Sequence, residues 1–222
     1  MTTRATLERH LSEIQSDMLV MGSMVGKAIT RSAEALKQRD VVVAQKVIEE
    51  DIAVNRKRFD IEEKCVRLLA TQQPMAGDLR TLVAVLSMII DLERIGDHAE
   101  GIAKITLMNG DEPPLKPLID IPRMAQRAMD MLDQSLEAFV GRNEHLARQV
   151  IHLDDEVDGL YDKVFRELVS YMVEDPRSIT RATRLLWVAH NLERIADRVT
   201  NICERVVFLI TGKMEELDTS KY

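Results

Sequence analysis

Six prolines, at positions 74, 113, 114, 117, 122 and 176, leave the rest of the 222 residues in long stretches without a helix breaker. Within those stretches the apolar residues recur at helical spacing. Leu7, Leu11, Ile14, Met18, Met21, Val25, Ala28, Ser32 and Ala35 alternate steps of four and three, which predicts one long amphipathic helix ending near Gln38-Arg39. Asp40 suits the N-cap of a second helix, running through Val47, Val54, Ile61, Cys65 and Leu68 to about Ala70. Pro74 and Gly77 mark a connection. Asp78 suits the cap of a third helix from about Leu79 to Met108, closed by Asn109-Gly110. A second set is predicted over about 123–140, 144–173 and 178–210, with breaks at Gly141-Arg142-Asn143 and Asp175-Pro176-Arg177. Its last helix carries an unbroken seam of Leu185, Val188, Leu192, Ile195, Val199, Ile202, Val206 and Leu209. An aromatic content of 4% and the lack of alternating β-branched runs argue against strands.

The second set repeats the first. An offset of 100 pairs Leu86 with Leu186, Leu92 with Leu192, Glu93-Arg94-Ile95 with Glu193-Arg194-Ile195, Asp97 with Asp197 and Ile102 with Ile202. In the second helices an offset of 103 pairs Asp51 with Asp154, Val54 with Val157 and Asn55 with Asp158. The three-residue difference falls in an inter-helix loop, where length changes are tolerated. Four prolines within 110–122 make that stretch a linker. The predicted fold is therefore all-α, two tandem, pseudo-symmetric three-helix bundles with long antiparallel helices. The expected organisation is a first bundle over 1–110, a linker over 111–122, a second bundle over 123–212 and a polar tail over 213–222.

Charge excludes one class of partner. Charged residues make up 30% of the chain, the net charge is −7, and Lys and Arg form no basic stripe, so no nucleic acid partner is expected. The longest apolar run, Leu82 to Ile90, is interrupted by Ser87 and is about half the roughly 20 residues a membrane span needs. The N-terminus is too polar for a signal peptide, and the expected location is cytoplasmic. Cys65 and Cys203, without a CxxC, are expected to be small buried hydrophobes, and Met18, Met21 and Met24 core fillers. Trp187, which stands where the first half has Ser87, is expected to be a core or packing residue.

The chemistry-bearing feature is an acid motif in each third helix. Leu92, Ile95 and Ala99, like Leu192, Ile195 and Val199, fix the inward face. Glu93 and Asp97, or Glu193 and Asp197, stack beside it at i and i+4. Two carboxylates stacked on a largely apolar surface repel each other unless something positive compensates. The second helix supplies partners: Asp51 interrupts an apolar seam with Asn55 four residues on, and in the copy these are Asp154 and Asp158. Two clusters follow, Asp51, Asn55, Glu93 and Asp97, and Asp154, Asp158, Glu193 and Asp197. With oxygen donors only, they favour Mg²⁺, Mn²⁺, Ca²⁺ or iron over zinc or copper. Asn55 makes the first site weaker. An alternative stays open: Arg94 and Arg194 neutralise the acids directly and the motifs are structural. His98 has Arg198 at its counterpart, so it is expected to be an ordinary polar helix residue and not a shared ligand. No GxxxxGK[ST], GxSxG or HExxH occurs, and the Glu-x-x-His pairs of a ferritin-like oxidase are missing. A carboxylate-bridged metal enzyme is the rival reading.

At these residues the chain closely resembles the PhoU family, bacterial regulators of phosphate uptake. The resemblance covers practically the whole length and is strongest at Gln73-Pro74-Met75-Ala76-Gly77-Asp78-Leu79-Arg80 and at Asp91-Leu-Glu-Arg-Ile-Gly-Asp-His-Ala-Glu100, echoed by Asn191-Leu-Glu-Arg-Ile-Ala-Asp197. It implies two three-helix bundles, often dimeric, whose motif positions fall on Glu93, Asp97, Glu193 and Asp197, with Asp51, Asp154 and Asp158 matching the second-helix acids and Asn55 a less acidic version. It implies bound divalent or trivalent metal ions, with Mg, Mn, Fe and Zn all possible, and no catalysis. It also implies a negative regulator of the phosphate-starvation response, linking a Pst phosphate transporter, through its PstB-like ATPase, to a PhoR-like histidine kinase, and meeting the membrane only through those partners.

Overall fold

The computed structural model describes residues 3–110 and 112–217. Its helices are α1 (Thr3–Gln38), α2 (Val41–Gln72), α3 (Gly77–Asn109), α4 (Asp120–Gly141), α5 (Glu144–His152), α6 (Asp154–Glu174) and α7 (Ile179–Thr211), with a 3₁₀ turn at Pro176–Ser178 before α7. No strand occurs among the described residues. The all-α fold of two repeated three-helix units read from the sequence is the fold observed, the second helix of the second unit being divided into α5 and α6.

The duplication is visible in the smallest local device, the turn between the first and second helices. Arg39 has φ 58 and Arg142 φ 47, both left-handed, and the following amides, of Asp40 and Asn143, reach back to the carbonyls of Ala35 and Ala138, each at 2.9 Å. Asp40 then caps α2, accepting from the Val42 and Val43 amides, and Asn143 caps α5, accepting from Leu146. One turn design, displaced by 103 residues, starts the second helix in both halves.

Several boundaries differ from the sequence reading. α3 begins at Gly77, so Asp78 lies in its first turn and not at its cap; its carboxylate is drawn to Arg4 of α1. α4 begins at Asp120, before Pro122, because a proline in the first helical turn forfeits only an amide that has no intrahelical partner. The single helix expected over 144–173 is divided at Leu153, where the Leu153 and Glu156 amides bond three residues back, at 3.0 and 3.1 Å, instead of four. Asp154, Asp155 and Glu156 favour a fresh helix start, and His152 suits the end of α5. The linker is held in place by buried Lys116, which pairs with Glu167 of α6. Of the expected polar tail, residues 213–217 lie against the protein. Glu204 accepts the Leu217 amide at 2.7 Å, Arg148 holds Glu215 at 3.2 Å, and Leu217 packs on the core. Residues 218–222 lie outside the described residues, as do Met1, Thr2 and Asp111.

The two units share one core. α1, α2 and α3 pack together, as do α4, α5, α6 and α7, and α3 packs on α7 while α1 packs on α4. A single contiguous cluster includes Met18, Met21, Ile95, Cys65, Met131, Ile195 and Cys203. Both thiols are buried, and burial pushes the Cys65 thiol up to about 12 and raises that of Cys203 further. α1 and α4 approach closely at Gly22, where a Cβ would lie 2.3 Å from Leu136 Cδ1. α3 and α7 cross antiparallel about a pseudo-two-fold axis. Asp91 Oδ1 accepts from Asn201 Nδ2 at 3.3 Å and lies 3.5 Å from Arg198 Nη1. The repeat-related pair is Asn191 and His98, 3.0 Å apart. Asn191 Nδ2 is committed to the Trp187 carbonyl at 2.8 Å, so its Oδ1 accepts from the His98 ring. Burial lowers the His98 pKa, which keeps the ring neutral. The ordinary polar role expected of His98 is therefore a specific one, joining the two repeats.

Candidate functional site

α3 packs on α7, and each acid motif lies beside the second helix of its own unit, the first beside α2 and the second beside α6. Core residues Leu92, Ile95 and Ala99, with Leu192, Ile195 and Val199, are buried as expected, which leaves the motif acids half-buried at the rim. The Glu93 side chain is 16% exposed and that of Glu193 22%.

In the first half, Asp51 and Asn55 of α2 are joined directly, Asn55 Nδ2 donating to Asp51 Oδ2 at 2.8 Å. α2 lies close to α3 at Gly96, whose absent Cβ would lie 3.1 Å from Asp51 Oδ1. Burial pushes the Asp51 carboxyl up to about 6; Glu100, Asp97 and Glu93 add like-charge repulsion, and Lys104 only partly offsets it. Glu93 and Asp97 thus act electrostatically on Asp51. Glu100, whose charge acts on Asp51 more strongly than either motif acid, was missed. Its signal was available: Glu93, Asp97 and Glu100 continue one stripe at i, i+4 and i+7.

In the second half the strained carboxyl is on the motif helix itself. Burial pushes Glu193 up to about 7, with Asp197 and Asp158 raising it and Arg194 lowering it. Its Oε2 lies 3.3 Å from His190 Nδ1 without forming a hydrogen bond. Glu193, Asp197 and Asp158 therefore form a coupled group. Asp154 is buried at the first residue of α6, where the helix N-terminus favours an anion.

The motif arginines lie over their own acids. Arg94 Nη1 is 3.0 Å from Asp97 Oδ2 and its Nε 3.6 Å from Glu93, while Arg194 Nη1 is 2.6 Å from Asp197 Oδ2. Among the described residues no three His, Cys, Asp or Glu side chains converge closely enough to enclose a metal ion. The donor set is all oxygen and suits a hard cation chemically; in this arrangement the arginines hold Asp97 and Asp197.

Trp187 is not the core residue that its size suggests. It is 50% exposed, on the outer side of α7, because the α7 seam is filled by Leu185, Val188, Ala189 and Leu192. No helix among the described residues is long and apolar enough to cross a membrane.

The whole arrangement has counterparts. A profile described as the PhoU domain matches twice, over residues 18–106 and 121–206. The chain is 41% identical over 218 residues to the phosphate-specific transport system accessory protein PhoU homolog of Clostridium acetobutylicum, spanning 97% of this chain and 99% of that one. It is 39% identical to the corresponding protein of Aquifex aeolicus, spanning 94% of each. The crystal structure of PhoU from Pseudomonas aeruginosa superposes with a TM-score of 0.89 at 36% identity, over 93% of this chain and 99% of that one. The phosphate transport system regulatory protein PhoU from Streptococcus pneumoniae does so with a TM-score of 0.88 at 32% identity, over 95% and 99%. On the repeated domain, the shared fold and this identity along nearly its full length, the chain belongs to the PhoU family.

Proposed function

We propose that this chain is a non-catalytic accessory protein of a phosphate-specific transport system. In this reading it acts in the cytoplasm as a homodimeric negative regulator that couples the transporter's PstB-like ATPase to a PhoR-like histidine kinase and restrains phosphate uptake. The observation that carries it is the near-complete coverage of relatives named as accessory proteins of that system. Long helices with half-buried charged rims offer docking area, and a net charge of −7 makes free phosphate a poor direct ligand. The signal then reaches the chain through protein partners. Deleting the gene should derepress alkaline phosphatase in phosphate-rich medium, and restoring the gene should repress it again. Unchanged repression in the deletion strain overturns the regulatory reading. A pull-down from phosphate-replete cells should bring down the transporter ATPase or the kinase.

The acid motifs are proposed to take up divalent or trivalent metal ions, Asp51, Asn55, Glu93 and Asp97 in the first half and Asp154, Asp158, Glu193 and Asp197 in the second. Support comes from Asp51 and Glu193, carboxyls whose burial and crowding a cation would relieve. Binding requires Arg94 and Arg194 to leave Asp97 and Asp197, and protons to leave Asp51 and Glu193, so uptake should strengthen from pH 5 to pH 8. The second reading, a purely structural motif, is favoured by those same Arg–Asp pairs. Elemental analysis of protein purified without chelator separates the two. Loss of metal in Glu193→Ala/Asp197→Ala supports the site, and equal content in parent and variant sinks it.

A further inference from the structure

The outer side of α2 carries three large apolar residues spaced by seven, Ile52, Phe59 and Val66, each more than half exposed at 57%, 56% and 54%. Seven residues are nearly two helical turns, so the three align as one stripe about 21 Å long. Asn55 and Glu62 fall between them at the same 3–4 spacing, and half-buried Ile48 and Leu69 close the ends. Isolated exposed apolar residues need no explanation; a straight row of three on a helix with a complete inner seam does.

The repeat provides a control. At the 103-residue offset, Ile52 and Phe59 correspond to Asp155 and Asp162 of α6, and only Val66 keeps an apolar counterpart, Val169. The row is thus not imposed by the three-helix fold, since the other copy of that fold does without it.

We infer that α2 packs against α2 of a second copy of this chain, antiparallel, about a two-fold axis at Phe59. The row is a palindrome about that residue. Turning it end for end places Phe59 on Phe59, Ile52 on Val66, Ile48 on Leu69, and Asn55 beside Glu62 of the other copy. The rim is self-complementary as well, because the same rotation sets Arg56 opposite Glu63 of the partner copy, twice over. Lys and Arg opposite like charge, the usual mark of a mismatched register, does not arise at these positions. Arg58 stacks over the Phe59 ring at 4.3 Å and pairs with Glu62 at 3.4 Å, which leaves the ring edge and the Ile52 and Val66 methyls as the contact surface. The contact lies beside the first acid cluster, so Glu62 of the partner copy supplies a carboxylate next to Asn55, where the second half has its own Asp158. The inference rests on the homodimer proposed above and names its surface.

One row of this length is smaller than a standard interface, so the dimer is concentration-dependent. Sedimentation equilibrium of the full chain between about 1 and 200 µM reads it directly. The parent should pass from monomer to dimer, and Phe59→Glu should stay monomeric, a loss of at least about 100-fold in affinity. Arg56→Glu and Glu63→Arg should each weaken the dimer about tenfold, and the double variant should return to within about threefold of the parent. All three positions are on the outer face of α2, so melting temperatures serve as the folding check, and the charge swap carries the test if Phe59→Glu does not fold. A parent that stays monomeric overturns both this contact and the homodimer. A dimer that survives Phe59→Glu overturns the contact and leaves the homodimer standing. Single reversals that weaken association without recovery in the double variant overturn the antiparallel register.

Discussion

The two halves of this protein start from one design and differ where their charge is stored. In the first, the second helix runs unbroken through Asp51, and Gly96 lets that carboxyl lie against α3, where Asn55 donates to it. In the second, Ala196 stands in place of Gly96, the helix is interrupted at Leu153, and Asp158 replaces Asn55. The carboxyl pushed upward is accordingly on different helices: Asp51 of α2 in one half, Glu193 of α7 in the other. Duplication preserved the pair of helices that cross at the pseudo-two-fold axis, because each must fit the other. Within the chain the flanking helices α2, α5 and α6 pack only on their own unit, and it is there that the two halves differ.

The largest effect tests whether the halves differ in folding as they do in charge. Ile95 and Ile195 occupy the same repeat position, and both are fully buried in the one contiguous core. Replacing either with Ala should cost about 3 kcal/mol by loss of burial and formation of a cavity. Because the core crosses between the units, each variant should shift a single cooperative urea transition as a whole. Two transitions, with each variant moving only one, would make the halves independent folding units.

How far the sequence went depended on whether a feature was local. Helix positions, the Asp40 and Asn143 ends and the buried seams of Leu92, Ile95, Leu192 and Ile195 follow from periodicity and capping, which act within a few residues. The break at Leu153 was hidden because the apolar period continues through Val150 and Val157, and a change from four-residue to three-residue hydrogen bonding leaves no mark in that period. Trp187 was misjudged because size and hydrophobicity suggest burial, whereas its place outside the α7 seam decides exposure. Repetition singled out acids that act on one another electrostatically, Glu93 and Asp97 on Asp51 and Asp158 and Asp197 on Glu193, but not Glu100. The arginines over the motif acids had been noted only as an alternative, since rotamers of long side chains are not encoded in spacing. The Asp91–Arg198 and Asn191–His98 pairs join residues about 100 apart, beyond the reach of any local pattern.

The next largest effect concerns pH. Asp51 and Glu193 titrate near 6 and 7 in the folded protein, above the ordinary carboxylate range. Between about pH 4 and those values the folded state holds more protons than the unfolded chain, so each group's contribution to stability falls as pH rises through the folded value and is flat above it. Asp51→Asn and Glu193→Gln should therefore melt with the parent near pH 4 and above it at pH 8. The gain should be on the order of 1–2 kcal/mol each, because both groups keep some access to water, or about 4 °C in Tm. Metal-free protein is required for this measurement. A Glu193→Gln variant that gains nothing at pH 8 would remove the distinction between the two halves in stored charge.

The smallest effect isolates one residue by which the α2–α3 and α6–α7 contacts differ. Gly96→Ala gives the first half the residue that the second half has at position 196. In the interior of α3, alanine is favoured over glycine by about 1 kcal/mol. Against that, the new methyl would lie 3.1 Å from Asp51 Oδ1 and 3.4 Å from Val54 Cγ1, tighter than comfortable contact, and would press on a carboxyl already crowded by Glu100, Asp97 and Glu93. The two terms nearly cancel, so the single variant should change stability by less than about 1 kcal/mol. Removing the carboxylate removes one of them. In an Asp51→Ala background the same Gly96→Ala step should stabilise by about 1 kcal/mol, and the difference between the two steps, measured by urea unfolding, is the coupling between Gly96 and Asp51. A step of equal size in both backgrounds would mean that α2 and α3 approach closely for a reason other than seating Asp51.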